Sequence, residues 1–123
     1  MNLQIDDSKT IRDLQERFSL SFPGFRIELC NKPHQWEELC EEGPFLSSMR
    51  SLGSVRKNHH PGVLEIRSSQ KIGEIEERFR NLFGLNVQIF FKSNGKWIQT
   101  VISDNLTIAD VKKQTAAMPT LML

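Results

Sequence analysis

The chain repeats itself, and this most constrains what it can fold into. Laid on itself at an offset of 61, it matches Leu3 with Leu64, Ile5 with Ile66, Ser8 with Ser69, Ile11 with Ile72, Glu16 with Glu77, Arg17 with Arg78, Phe18 with Phe79 and Phe22 with Phe83. These are 8 identities over the 20 positions from Leu3 to Phe22. The register then slips by one, pairing Gly24 with Gly84, Phe25 with Leu85, Ile27 with Val87, Leu29 with Ile89 and Lys32 with Lys92. After a four-residue insertion in the first copy, an offset of 56 matches Ser47 with Ser103, Leu52 with Ile108, Val55 with Val111 and Arg56-Lys57 with Lys112-Lys113. A period of about 60 residues marks a tandem supersecondary unit. Repeat 1 covers 1–61, repeat 2 covers 62–118, and an apolar tail follows at 119–123. At 123 residues the two copies make one domain.

The repeat unit is legible locally. Leu3 and Ile5, like Leu64 and Ile66, alternate as short strands do. Ile11, Leu14, Phe18 and Phe22 recur at helical spacing, and Ile72, Ile75, Phe79 and Phe83 repeat the pattern, so each helix has one apolar stripe. Thr10 with Asp13, and Thr107 with Asp110, have the spacing at which a hydroxyl and a carboxylate satisfy unpaired N–H groups at a helix start; Ser51 caps a shorter element carrying Leu52 and Val55. Phe25, Ile27 and Leu29 alternate with Arg26, Glu28 and Cys30, and Leu85, Val87, Ile89 and Phe91 alternate with Asn86, Gln88 and Phe90. Asn94-Gly95 then supplies a two-residue turn, because both residues tolerate positive φ. That turn sets Ser93 opposite Lys96, Lys92 opposite Trp97, Phe91 opposite Ile98, Phe90 opposite Gln99, Ile89 opposite Thr100, Gln88 opposite Val101 and Val87 opposite Ile102. Each copy reads β-α-β-β-α, with the first hairpin distorted around Pro33 to Pro44. The expected fold is α+β, an internal tandem duplication with helices on one face of mainly antiparallel sheet.

Residues 87–113, from Val87-Gln88-Ile89-Phe90-Phe91-Lys92 through Asn94-Gly95-Lys96 to Leu106-Thr107-Ile108-Ala109-Asp110-Val111, resemble the opening hairpin and helix of ubiquitin-like β-grasp folds. The resemblance implies two intertwined β-grasp-like halves, each borrowing a strand from Leu3–Ile5 or Val63–Ile66. It stops after the helix: Thr115 to Leu123 offers no second hairpin and the chain does not end in di-glycine, so conjugation chemistry is not implied. Ser8-Lys9-Thr10-Ile11 together with Phe83-Gly84-Leu85-Asn86-Val87-Gln88-Ile89-Phe90 is similar to a family of small uncharacterised Bacteroidota proteins, a resemblance that brings no activity with it.

Composition narrows the function classes. Lys plus Arg is 16 against 15 Asp plus Glu, so the strongly basic balance of a dedicated nucleic-acid binder is absent. Arg78 and Arg80 beside Phe79, and Lys92 facing Trp97, mingle cations with rings, but Phe79 belongs to a core stripe; a nucleic-acid-binding adaptor is an alternative, not the favoured reading. No stretch approaches a membrane span and Met1 to Asp7 has no secretory pattern, so a cytoplasmic, soluble protein is expected. Two cysteines, Cys30 and Cys40, are read as reduced thiols. With His34, His59 and His60 they could be imagined holding zinc, but the spacing fits no known knuckle, and Arg56 to His60 reads as a solvated turn. A thiol- or metal-dependent enzyme is the second alternative, with His34 or His59 as base; Glu37, Glu38, Glu41 and Glu42 near Trp36 read as a solvated helix face. No catalytic residue, metal or cofactor is assigned.

The sharpest candidate is the outer face of the second hairpin. The expected register puts Val87, Ile89, Phe91, Ile98 and Ile102 toward the core and Phe90, Trp97 and Val101, with Gln88 and Gln99, on the opposite side. In the first copy the matched residues are Arg26, Glu28 and Cys30. A half-apolar outer face is either covered, by the other copy or by Met118 to Leu123, or it is a contact surface for a protein partner or a second chain. The favoured function is a non-catalytic protein-interaction or structural module.

Overall fold

A computed structural model describes residues 1–30, 45–99 and 105–121. Its elements are β1 (Asn2–Ile5), α1 (Ile11–Ser21), β2 (Phe25–Leu29), α2 (Leu52–Val55), β3 (Gly62–Glu65), α3 (Ile72–Phe83), β4 (Val87–Ser93), β5 (Lys96–Gln99) and α4 (Ile108–Leu121). The described residues form an α+β arrangement of two small antiparallel sheets, β1-β3 and β2-β4-β5, with four helices. The expected distortion of the first hairpin, at Pro33 to Pro44, lies outside the described residues.

Capping boxes set the starts of α1 and α4, while α3 begins after Lys71 without a side-chain cap. Thr10 Oγ1 accepts from Asp13 N at 3.1 Å while Asp13 Oδ2 accepts from Thr10 N at 2.9 Å. At α4, Thr107 Oγ1 accepts from Asp110 N at 3.0 Å and Asp110 Oδ2 from Thr107 N at 3.1 Å. Hydrogen bonds from those threonine backbones hold both carboxyls below the ordinary aspartate range. The two apolar stripes are buried throughout: Ile11, Leu14, Phe18 and Phe22 on α1, and Ile72, Ile75, Phe79 and Phe83 on α3. At roughly 1.5–3 kcal/mol per fully buried side chain, these stripes are a principal source of the core's stability.

Each sheet draws strands from both parts of the sequence. In the smaller one Leu3 lies opposite Leu64; in the larger one Phe25 lies opposite Phe91, Ile27 opposite Ile89 and Leu29 opposite Val87. Loop contacts recur in corresponding places. Ile11 N donates to Arg50 O at 3.0 Å, and Ile72 N to Leu106 O at 2.9 Å; Gly53 N donates to Asp7 O at 3.3 Å, and Ala109 N to Ser68 O at 3.0 Å. The isolated bridges Thr10–Ser51 and Lys71–Thr107 make the same match.

The two capping boxes are far apart in sequence and carry the same bonds. Thr10→Ala and Thr107→Ala should each cost about 1 kcal/mol in denaturant unfolding, and the double variant about 2 kcal/mol.

Candidate functional site

The Asn94-Gly95 turn forms as its chemistry requires, with φ of 52° at Asn94 and 76° at Gly95. It sets Ser93 opposite Lys96, Lys92 opposite Trp97, Phe91 opposite Ile98 and Phe90 opposite Gln99, the register expected from the sequence. The further pairs to Thr100, Val101 and Ile102 lie outside the described residues.

Pairing of β4 with β2 changes what this hairpin presents. Arg26 of β2 lies directly opposite Phe90, and its guanidinium sits 5.0 Å from the Phe90 ring centre and 4.8 Å from that of Trp97. Phe45 meets Phe90 edge-on with centres 5.6 Å apart. Lys92 reaches to 5.8 Å from Trp97. Covered in this way, Phe90 is only 5% exposed and Gln88 is fully buried, so neither offers contact area to a partner. Trp97 remains 39% exposed. Of the other residues assigned to this face, Val101 and the side chain of Gln99 lie outside the described residues. Ile98, expected to face the core, is 43% exposed. The strand that carries it is an edge, while α1 and α3 pack against β2 and β4.

Sequence reasoning passed over Arg26, treating it as a polar residue of the first copy. The signal that would have exposed its role was the long-range pairing of β2 with β4, which puts Arg26 and Phe90 on one face.

A second polar cluster joins four parts of the chain. Arg56, expected in a solvated turn, has a fully buried side chain. Its Nε donates to Asp7 Oδ1 at 3.0 Å, its Nη2 lies 2.8 Å from the same oxygen, and its Nη1 donates to His60 O at 3.0 Å and to Phe83 O at 3.2 Å. The guanidinium thus closes a carbonyl at the end of α3 that the helix itself leaves unpaired. His59 Nδ1 lies 2.9 Å from Asp7 Oδ2. The carboxylate orienting that ring is committed to Arg56, so the cluster works as a clasp between the β1–α1 loop and the segment before β3. Gly53 makes room for it, since a Cβ there would come within 2.9 Å of Asp7 Cβ.

Cys30 is disulfide-bonded, where a reduced thiol was expected. Buried at the end of β2, its sulfur is spent on that bond and supplies neither a thiolate nucleophile nor a zinc ligand. His34, Cys40 and the run Glu37, Glu38, Glu41 and Glu42 lie outside the described residues. Among the described residues no group of three or more His, Cys, Asp or Glu converges on a metal-sized site, and no helix is long and apolar enough to cross a membrane. Compared with protein-family models, with curated proteins and with solved structures, the chain gives no match.

The hydrogen bond from Arg56, reinforced by its charge and by His59, holds the Asp7 carboxyl below its ordinary value of 3.8. A depressed folded value means that Asp7 stabilises the fold above the unfolded pKa, and that this contribution is lost as pH falls through the folded one. Asp7→Asn should therefore be less stable than the parent at neutral pH. The difference should shrink in urea titrations as pH drops below about 4. Cys30 should resist alkylation in denaturant until a reductant is added, as peptide mass mapping would show.

Proposed function

We propose that this chain is a non-catalytic interaction module, built from two copies of one β-α-β-β-α unit, that contacts a protein partner through the Trp97 side of the β4–β5 hairpin. Trp97 carries the reading. It is a large ring left well exposed on an edge strand, held in place by Arg26 against its face rather than free to collapse onto the core. A preordered aromatic surrounded by polar neighbours supplies contact area at little entropic cost, which is why such residues dominate interface energetics. Ile98, next along the strand, is exposed on the opposite face and does not add to the Trp97 surface.

The duplication is supported by the bonds that recur at matched positions, above all Ile11–Arg50 with Ile72–Leu106 and the bridges Thr10–Ser51 with Lys71–Thr107. The β-grasp likeness rests on the same hairpin and on α4 after it. A disulfide at Cys30 is the chemistry of an oxidising compartment and removes the reduced-thiol ground for a cytoplasmic setting.

Replacing Trp97 with Ser tests the reading. The variant should keep its far-ultraviolet circular dichroism and its melting temperature within a few degrees. It should lose self-association in light scattering, or bind its co-purified native-host partner about 30-fold more weakly, as loss of a central aromatic contact does. A folded variant with unchanged association would overturn the assignment.

A further inference from the structure

We infer that the edge of β5, open among the described residues, binds an extended acidic peptide by strand addition, the peptide backbone pairing at Trp97 and its carboxylates meeting Arg26 and Lys92 on the Trp97 face, with Lys96 adding to the positive field. This rests on the interaction reading above and names the partner's chemistry.

The two edges of the three-stranded sheet differ. Along β2 the outward carbonyls are already taken: Phe25 O accepts from Ser19 Oγ at 2.9 Å, Ile27 O from Gln15 Nε2 at 2.9 Å and Leu29 O from Leu46 N at 3.0 Å. Such blocking is how a sheet avoids unwanted pairing. On β4, Lys92 N donates toward β2, to Gly24 O at 2.8 Å. In an antiparallel ladder the bonded pairs alternate, so the Lys92–Trp97 pair is not a bonded one and the Trp97 N–H and C=O point away from β4. No residue among those described bonds them. The exposed Trp97 and Ile98 project to opposite faces of that open strand, so an added strand would find an apolar neighbour on either side.

Charge selects the occupant. From Val87 to Gln99 there is no Asp or Glu, while Lys92 and Lys96 are both exposed. Neither lysine, nor Arg26, has a carboxylate partner among the described residues. Arg26 Nε is shut away from solvent without a hydrogen-bond partner, and the half-buried guanidinium lies against two ring faces. A second copy of the chain would double these cations at one interface. A single-stranded nucleic acid would satisfy the charge and leave the strand's alternating donors and acceptors unmatched.

The full chain should be titrated with a fluorescent, end-blocked peptide of about eight alternating Val and Glu residues. Parallel titrations use the same peptide with Lys for Glu, and oligothymidylate. Binding of the acidic peptide alone is expected, weakening with salt, with slowed hydrogen exchange at the Trp97 amide. A folded Lys92→Glu/Lys96→Glu variant should bind about tenfold more weakly or worse. Equal binding of the Lys peptide, tighter binding of oligothymidylate, or no change at the Trp97 amide would overturn the inference. If Trp97→Ser abolishes association while the acidic peptide does not bind, the strand-addition inference falls and the interaction reading stands.

Discussion

The larger sheet exists because β2 and β4, distant in sequence, lie antiparallel in one register. That register is enforced from both faces. On the helix side it places Ile27 against Ile89 and Phe25 against Phe91, apolar pairs over which α1 and α3 close. On the other side it places Arg26 against Phe90, and a one-residue slip would drive the guanidinium into the core and the aliphatic row out of it. With β4 held centrally, β5 has nowhere to go but the edge. The exposure of Trp97 and Ile98, the cations around them and the open backbone at Trp97 follow from that placement.

The parts legible in the sequence are those decided by neighbours in sequence. Asn94-Gly95 fixed the hairpin register because a tight turn leaves no freedom in what faces what. The Thr10 and Thr107 caps were readable because the hydroxyl and carboxylate sit three residues apart. Burial of Phe90 and Gln88 was not readable in the same way, because the groups that cover Phe90, Arg26 and Phe45, arrive from strands and loops whose pairing is a tertiary choice. Arg56 shows the same limit more sharply. Its local context of Lys57, Asn58, His59 and His60 is that of a solvated turn, yet Asp7, 49 residues away, makes its burial tolerable. Ile98 had the alternation of a core residue, and alternation says which face a side chain takes, not whether a helix extends far enough to cover it.

Similar backbone contacts in the two parts of the chain carry different side chains. Gly53 and Asp7 face each other where Ala109 and Ser68 do in the second part. The glycine makes space for a longer acidic side chain, and that side chain reaches a buried arginine where the second part has Lys112. Gln15 and Glu76 occupy matched helix positions and both seal strand backbone, the first donating to Ile27 O and the second accepting from Ile89 N at 2.8 Å. A helix side chain therefore closes the edge of β2, while Glu76 closes β4 at a residue outside the β5 pairing. Neither helix seals β5. Among the described residues, the scaffold that protects the other edge of this sheet leaves β5 available. That strand carries the exposed tryptophan and is flanked by cations with no carboxylate partner among the described residues, a combination that an edge strand with no partner would have reason to avoid.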